Sequence, residues 1–219
     1  MRVIDLSQPL HEGMPVYPGT PAPDFSTVAT VAANGYQVKK IAMNTHVGTH
    51  MDAPAHMLAD GKTLDALPLE RFVGRAAVLD VRNCAGGVIG IGELQGQKEL
   101  LAQVDFVLFW TGWSRYWGQE QYLQQYPLLT AAAAAWLGKC QLKGVGIDAI
   151  SFDAIDSKDF AIHQLLLAQE LVLIENLTRL EEVQSGADFF ALPLPLSEAD
   201  GSPVRAFASF RLDKLNGKR

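Results

Sequence analysis

The stretch NTHVGTHMDAPAHM, residues 44–57, places three histidines and one aspartate within eleven positions: His46, His50, Asp52 and His56. The whole chain has 219 residues and only five histidines. Imidazole and carboxylate groups suit zinc, manganese or iron, and the lack of cysteine thiolates here favours a catalytic over a structural zinc site. The stretch therefore predicts a metal centre, and the fold must gather these side chains.

The spacing of these four residues requires a bent backbone. Because the intervals are four, two and four residues, all four side chains would share one face of a strand. A straight strand, however, would spread them over about 33 Å, whereas metal–ligand bonds are about 2.0–2.2 Å long. Gly48 permits unusual backbone angles and Pro54 interrupts regular structure, so we expect bends at these two positions.

The composition is that of an ordinary globular protein. Hydrophobic residues make up 48% and charged residues 19% of the chain, and the net charge is −6. No Lys/Arg cluster predicts a nucleic-acid partner, and no apolar run approaches the roughly 18 residues that a membrane span needs. The first residues lack a signal-peptide core, and Cys84 and Cys140 lie far apart in the sequence. We therefore expect a cytoplasmic protein without a disulfide framework.

Apolar runs and their periodicity predict the secondary structure. Thr130 is placed to cap the clearest helix. No repeat, low-complexity segment or linker divides the chain, so we expect a single domain over residues 1–219, of the α/β class (or α+β), built around a mixed β-structure with flanking helices. The predicted strands are residues 25–32, 38–43, 74–81, 104–110, 144–148, 171–176 and 204–212, and the predicted helices are residues 65–72 (or a turn), 92–101 and 130–139.

Two carboxylates in apolar runs are candidates for special roles. Glu175 interrupts the run LVLIENL, where an ionised carboxylate is costly unless it is paired or bound to metal. Alternatively, Glu175 lies at the edge of a strand, where it reaches water or pairs with Arg179. Asp148, which ends the run GVGID, is expected to bind a backbone loop or a neighbouring strand and is not assigned to the metal.

The motif H-x-G-T-H-x-D-A-P-x-H at residues 46–56 resembles the signature of the cyclase-like metal-dependent hydrolases, which include bacterial kynurenine formamidases and isatin hydrolases. The resemblance covers nearly the whole chain. It begins with IDLSQPLHEGMPVYPG, continues through GVGIDAISFD and the pair His163 and Glu175, and ends with ALPLPLSEADGSPVRAFA. It implies an α/β fold of the swivelling β/β/α type and a homo-oligomer, either a dimer or a tetramer.

The resemblance also implies a role for each candidate residue. Two histidines of the motif, His46 and His50, would ligate one metal ion together with Asp52, and a distant histidine would ligate a second ion. The two acidic ligands would be able to bridge both ions. His56 would stay off the metal as the general acid/base. The implied cofactor is one or two divalent ions, with zinc expected first and manganese as the alternative. The implied ligands are His46, His50, Asp52, His163 and Glu175.

The sequence departs from the kynurenine formamidases in the segment MPVYPGT. Those enzymes typically carry a tryptophan there that contacts the aromatic substrate, and this chain has Tyr17. They also commonly have an aspartate where this chain has Thr20. Tyr17 can still stack on an aromatic ring, so we expect it to contact the substrate. The change weakens the assignment to N-formylkynurenine itself.

The expected activity is hydrolysis of the C–N amide bond of an aryl formamide or a cyclic amide. Metal-bound hydroxide would attack the carbonyl carbon, and His56 would carry the proton to the leaving nitrogen. The expected partner is thus a small amide or lactam, and the resemblance implies an aromatic one. The alternative is a member of the same fold that binds metal or a small ligand without catalysis.

Two further segments allow other functional interpretations. Residues 86–96, GGVIGIGELQG, resemble a nucleotide-binding loop, although a supporting strand–turn–helix unit is not clearly placed. Residues 106–117, FVLFWTGWSRYW, hold three of the four tryptophans. We expect core and interface packing there, with an aromatic pocket lined by Trp110 and Trp113 as the alternative, and with Arg115 as a candidate contact for a carboxylate.

Overall fold

A sheet that closes on itself organises the computed structural model, which describes residues 1–84 and 87–210. Its strands come from both halves of the chain, and short helices connect the parallel ones. The strands are β1 (Arg2–Asp5), β2 (Asp24–Ala29), β3 (Val38–Ala42), β4 (His50–Asp52), β5 (Val73–Asp80), β6 (Val88–Ile89), β7 (Phe106–Trp110), β8 (Leu128–Leu129), β9 (Gly144–Ile147), β10 (Val172–Glu175), β11 (Ala187–Pro193) and β12 (Gly201–Phe210). The α-helices are α1 (Val31–Asn34), α2 (Ile91–Gln95), α3 (Lys98–Leu101), α4 (Ala131–Leu137) and α5 (Ala161–Leu167).

Seven strands form the closed ring in the order β12-β11-β5-β7-β9-β10-β4, and the pairing of β4 with β12 completes it. Strands β5, β7, β9 and β10 are parallel to one another, whereas the remaining pairs are antiparallel. Strand β1 pairs with β12 beyond the part that β4 occupies. The predicted α/β class with a mixed sheet is therefore confirmed.

Alternation along the strands separates two apolar cores. On β7, Phe106 and Leu108 belong to one apolar cluster. All the other ring strands except β9 also contribute side chains to it, so this cluster lies inside the ring. Val107 and Phe109 belong to a second cluster, which packs against helices α2–α5 on the outer face. Both faces of the parallel strands are thus buried, which explains their continuous apolar sequences.

The same alternation decides where the polar residues of β4 and β10 point. Met51 and Ile174 lie in the inner core, so His50, Asp52 and Glu175 face the outer side of the ring. The antiparallel register sets Glu175 directly opposite His50. These three side chains therefore meet outside the ring, on the side that α5 covers.

Most predicted elements are confirmed within one or two residues, including the helix that Thr130 caps by accepting a hydrogen bond from Ala133 N at 3.1 Å. Two predictions were too long. The strand over residues 25–32 ends at Ala29, because Thr30 caps α1 instead. The helix over residues 92–101 is two helices, α2 and α3, that break at Gly96 and Gln97.

Two other segments differ from expectation in their bounds. Residues 65–72 form two 3-10 helices, Leu64–Ala66 and Leu69–Phe72. The last strand begins at Gly201 rather than at residue 204, and residues 211–212 of that prediction lie outside the described residues.

In the part of the chain that the structure describes, no helix is long and apolar enough to cross a membrane.

A glycine on β9 allows the close approach of its neighbours. A Cβ on Gly144 would lie 2.6 Å from the carbonyl oxygen of Val172 and 3.1 Å from Phe106. Because the obstacle is backbone, we expect Gly144→Ala to lower the free energy of unfolding by about 1–3 kcal/mol, as overpacking in a core does.

Urea unfolding followed by circular dichroism measures this change. Gly92→Ala is the matched control, since a Cβ on this helical glycine meets no atom within 4 Å. We expect this control to be as stable as the parent or up to about 1 kcal/mol more stable. Equal stability of the two variants would contradict the close packing at β9.

Candidate metal centre

The stretch 44–57 bends twice, at the two predicted positions. Gly48 has a φ of +61°, in the region that favours glycine, and a Cβ there would collide with Leu10. Three residues of strand follow as β4, and Pro54 then begins a 3-10 turn that contains His56. The bends bring together side chains that a straight strand would separate.

The buried part of the centre contains two imidazoles and two carboxylates. His50 Nε2 lies 3.3 Å from Asp52 Oδ1 and 3.5 Å from Glu175 Oε2. His163 Nε2, from α5, lies 3.1 Å from Glu175 Oε1 and 3.6 Å from Asp52 Oδ2. All four residues are at most 5% exposed. Four buried ligand-type side chains in such close contact fit a divalent cation, because buried carboxylates need a compensating charge.

The alternative explanations for Glu175 fail. Its side chain is buried rather than at a wet edge. Arg179, the residue proposed to neutralise it, instead pairs with Glu182 at 2.6 Å. Glu175 also accepts a hydrogen bond from Phe152 N at 3.2 Å, which fixes the carboxylate toward the cluster.

A more open part of the centre contains His46 and His56. His46 Nδ1 lies 2.6 Å from Asp52 Oδ1, and the His56 ring stacks on the His46 ring with centroids 3.8 Å apart. Potential ligand atoms of His46, Asp52 and His56 all lie within 4.8 Å of one another, and so do those of His50, Asp52 and Glu175. Asp52 therefore belongs to both groups. This grouping separates His46 from His50 and brings His56 within reach of the ligands, unlike the grouping that the family resemblance implies.

Asp153 orients His163. Its Oδ2 accepts hydrogen bonds from His163 N at 2.9 Å and from His163 Nδ1 at 2.6 Å, while its Oδ1 accepts from Ile162 N at 3.0 Å. One carboxylate thus caps the first turn of α5 and fixes the histidine tautomer. The Nε2 atom of His163 is left to face Asp52 and Glu175.

His50 and the buried amide of Asn176 share one backbone acceptor. His50 Nδ1 donates to the carbonyl oxygen of Gly48 at 2.9 Å, and Asn176 Nδ2 donates to that same oxygen at 2.8 Å. Asn176 adopts a φ of +58° immediately after β10, and its Oδ1 accepts from the hydroxyl of Tyr122 at 2.7 Å. The hydrogen bond from Asn176 therefore connects the bend at Gly48 to the end of β10.

Opposite charges decide the protonation of the cluster. Burial opposes the charged form of His163, but Asp153 and Glu175 outweigh it and raise its pKa to about 10. Burial likewise opposes the charged form of His46, yet Asp52 and Asp200 raise its pKa to about 9. A metal ion that binds here must displace these protons.

The pKa of His56 shifts in the opposite direction to those of His46 and His163. Burial and the nearby His46 and His163 lower its pKa, although Asp52 and Asp200 act in the opposite direction. The neutral form of His56 is therefore favoured near pH 7, and a neutral imidazole can accept a proton.

The seven predicted site residues all line one cavity of about 690 Å³. Tyr17 lies on its wall and donates a hydrogen bond from its hydroxyl to the carbonyl oxygen of Ile155 at 2.9 Å. The ring of Phe160 lies 6.3 Å from that of Tyr17 and 6.2 Å from that of His163. A polar floor and a partly aromatic wall thus enclose the same space.

Sequence reasoning missed three residues that support the centre: Asp153, Asp200 and Asn176. Asp153 and Asp200 lie in the stretches GVGIDAISFD and ALPLPLSEADGSPVRAFA, which carry the family resemblance but assign them no role. Asn176 follows Glu175 directly. Each acts on a residue more than nine positions away in the sequence, and no local pattern reveals such contacts.

Asp148 has the structural role that was expected. It is fully buried and accepts hydrogen bonds from Thr111 N and Gly112 N, at 2.8 and 2.9 Å. It therefore anchors the loop that follows β7.

The aromatic side chains at residues 106–117 make the packing contacts that were expected there. Trp110 packs under the guanidinium of Arg82, 3.6 Å from its ring centroid, and Trp113 donates to the carbonyl oxygen of Tyr122. Arg115 lies over Tyr116. None of these residues lines the cavity.

The segment that resembled a nucleotide-binding loop is a local connection. Gly86 lies outside the described residues. The two-residue strand β6 pairs with β8, outside the closed sheet, and Gly90 then precedes the five-residue helix α2. A dinucleotide-binding unit instead joins a strand of the main sheet to its helix.

Comparison with known proteins identifies the family. A family model described as "Putative cyclase" matches residues 4–154. The chain belongs to the cyclase family. Among curated members similar to it, a kynurenine formamidase of Bacillus cytotoxicus is 36% identical over 205 residues, which cover 93% of this chain and 95% of that protein.

Solved structures show the same cyclase-family fold. Isatin hydrolase A from Ralstonia solanacearum matches with a TM-score of 0.83 and 26% identity, over 94% of this chain and 91% of that one. A structure described as a potential metal-dependent hydrolase with cyclase activity matches with a TM-score of 0.78 and 30% identity, over 94% of this chain and 96% of that one.

The contacts of Asp153 predict that Asp153→Asn weakens metal binding. Asparagine retains one acceptor oxygen, so it cannot accept from both Ile162 N and the His163 ring, and the imidazole loses its charged partner. We expect zinc affinity to fall about 10–100-fold, as it does when the carboxylate behind a ligating histidine is changed.

Competition with a chromophoric chelator measures the affinity. The control is Asp156→Asn, which changes an exposed aspartate of the same loop. An unchanged zinc affinity in Asp153→Asn would show that this carboxylate does not orient a ligand.

Proposed function

We propose that this member of the cyclase family is a metal-dependent hydrolase that cleaves the C–N amide bond of an aryl formamide or a cyclic amide. The observation that carries the proposal is the convergence of His50, Asp52, His163 and Glu175 at the floor of a cavity that also contains a neutral histidine, His56. The names of its relatives, kynurenine formamidase and isatin hydrolase, support an amide substrate.

A divalent metal is the cofactor that these side chains fit. We propose the ligands as His46, His50, Asp52, His163 and Glu175, with one or two ions per chain. Zinc is the first candidate and manganese the alternative, because imidazole and carboxylate ligands suit both. When bound, such an ion lowers the pKa of water and polarises a carbonyl oxygen.

His56 is the proposed acid/base. It lines the cavity, and its side chain is 24% exposed, whereas the buried ligands are shielded from solvent. In its neutral form it accepts a proton from the attacking water and then delivers that proton to the leaving nitrogen. The C–N bond breaks as the nitrogen takes up this proton, and the water oxygen stays on the acyl carbon. The acid that forms loses the second water proton to become a carboxylate, and in a cyclic amide the same step opens the ring.

Tyr17 is the proposed contact for the substrate ring, and Phe160 supports this choice. Phe160 adopts a φ of +46°, which costs a bulky residue about 1–2 kcal/mol. Its ring lies between Tyr17 and His163 on the cavity wall. Strain that places an aromatic ring beside a reactive centre is typical of binding sites, and it favours an aromatic amide or lactam.

We also propose a homo-oligomer, a dimer or tetramer, in the cytoplasm. Several apolar side chains on the hairpin of β2 and β3 are more than 40% exposed, and a second copy of the chain would cover them. These side chains are Val28, Val31, Tyr36, Val38 and Ile41. Cys84 and Cys140 are free thiols, as expected in a reducing compartment.

Turnover of a small panel of amides tests the proposed function. We expect the zinc- or manganese-loaded protein to hydrolyse formanilide, N-formylkynurenine or isatin faster than N-butylformamide, because the cavity wall favours an aromatic ring. A chelator should abolish this activity, and added metal should restore it. A fully loaded protein that hydrolyses none of the four would favour the alternative function, metal or ligand binding without catalysis.

The division of roles predicts different outcomes for two histidine variants. His56→Ala should retain its metal while kcat falls about 10²–10⁴-fold, the usual contribution of general acid/base catalysis. His50→Ala should lose metal, since His50 Nε2 faces both buried carboxylates.

Elemental analysis of the purified variants, paired with rates on formanilide, separates the two roles. If His56→Ala lost metal in parallel with activity, His56 would be a ligand, as its proximity to His46 and Asp52 permits.

A further inference from the structure

Asp200 contacts both histidines of the open part of the metal centre. Its Oδ2 lies 2.9 Å from His46 Nε2 and 3.3 Å from His56 Nδ1. Its Oδ1 accepts a hydrogen bond from the Thr45 hydroxyl at 3.1 Å. One carboxylate oxygen therefore joins a proposed metal ligand to the proposed acid/base.

The backbone fixes the position of Asp200. Its carbonyl oxygen accepts from Ala53 N at 2.8 Å, and the next residue, Gly201, pairs with Asp52 where β12 meets β4. A Cβ on Gly201 would lie 2.4 Å from Cε1 of His46, so glycine leaves room for that ring. The strand pairing that closes the sheet thus also places this carboxylate beside the two histidines.

A carboxylate only accepts hydrogen bonds, so both histidine nitrogens that face Asp200 must carry a proton. His46 faces a carboxylate on both sides, since Nε2–H donates to Asp200 and Nδ1 lies 2.6 Å from Asp52 Oδ1, so Nδ1 also carries a proton until a metal ion displaces it. For His56, Nδ1–H donates to Asp200, and Nε2 is left to accept a proton. The contact with His56 therefore selects the tautomer that the proposed function requires.

We propose that Asp200 is a positioning residue that holds the His56 ring and its Nδ1–H tautomer for proton transfer. This role rests on the proposed function of His56. Asp200 acts through the imidazole rather than on the substrate, and it is absent from the cavity lining. Its side chain is 44% exposed, unlike the buried carboxylates Asp52 and Glu175, which distinguishes it from the proposed ligands.

Steady-state kinetics of Asp200→Ala, with zinc at saturation, provide the first test. We expect kcat for formanilide to fall about 10–100-fold, the usual effect of removing a carboxylate behind a functional histidine. We expect KM to change less than about threefold and the zinc content to stay at the parent value. Asp200→Asn, which keeps one acceptor oxygen, should recover part of kcat. Asp188→Asn, an exposed change on β11, should behave as the parent does.

The double variant His56→Ala/Asp200→Ala separates positioning from a general effect on the fold or metal. If Asp200 acts through His56, removing it from the His56→Ala protein should cost less than about a further threefold in kcat. A second loss of 10–100-fold would overturn the proposal. Loss of zinc from Asp200→Ala at saturation would also overturn it, because Asp200 would then act on the metal, through His46 or as a ligand, rather than through His56.

The tautomer of His56 gives a readout that needs no activity. In long-range ¹H–¹⁵N spectra of the zinc-loaded full chain, His56 should show the Nδ1–H form, and Asp200→Ala should shift it toward the Nε2–H form. An unchanged tautomer in the variant would overturn the proposal. If the parent protein hydrolyses no amide while this shift is present, the proposed function fails and the positioning contact stands.

Discussion

The pairing of a three-residue strand with two neighbours is the constraint on which the centre depends. Strand β4 lies between β10 and β12, and it completes the ring by pairing with both. Its alternation buries Met51 in the inner core and directs His50 and Asp52 outward. Because Glu175 faces His50 across this pairing, the contacts that close the sheet also bring these two proposed ligands together.

The centre also lies where the sheet changes direction. Strand β10 is the last of the four parallel strands, and its partner β4 runs antiparallel to it. Glu175 ends β10, and the loops that leave the carboxyl ends of β9 and β10 supply Asp153 and Asn176. Open α/β sheets bind ligands at the carboxyl ends of parallel strands for the same reason: loops of different strands converge there. This closed sheet retains that arrangement.

The electrostatics of the cluster favour a cation over a purely structural role. Asp52 and Glu175 are buried with histidines as their neighbours, and burial of two carboxylates is costly without compensation. Protonated His46 and His163 supply that compensation here, because the carboxylates beside them raise the pKa of each imidazole well above neutrality. A divalent ion supplies the same charge from one point and releases the protons.

The sequence located the candidate site residues, which line one cavity, better than the residues that support them. Spacing alone showed that residues 46–56 must bend, and Gly48 and Pro54 bend as expected. The apolar run around Glu175 revealed a buried carboxylate. Asp200 and Asp153 could not be found this way, since the sheet register and a helix cap bring them to the centre over long sequence distances or through a loop. The break between α2 and α3 was missed because both helices continue one apolar pattern.

The short length of β4 has a consequence for how the metal is acquired. A shift of one residue in its register would turn His50 and Asp52 into the apolar interior and Met51 outward, on both edges at once. The cost of burying those polar groups forbids the shift whether or not an ion is bound. The strand pairing therefore sets the positions of His50 and Asp52. A zinc finger differs, because its fold exists only with its ion, whereas the pairing of β4 with β10 and β12 places His50 and Asp52 by itself.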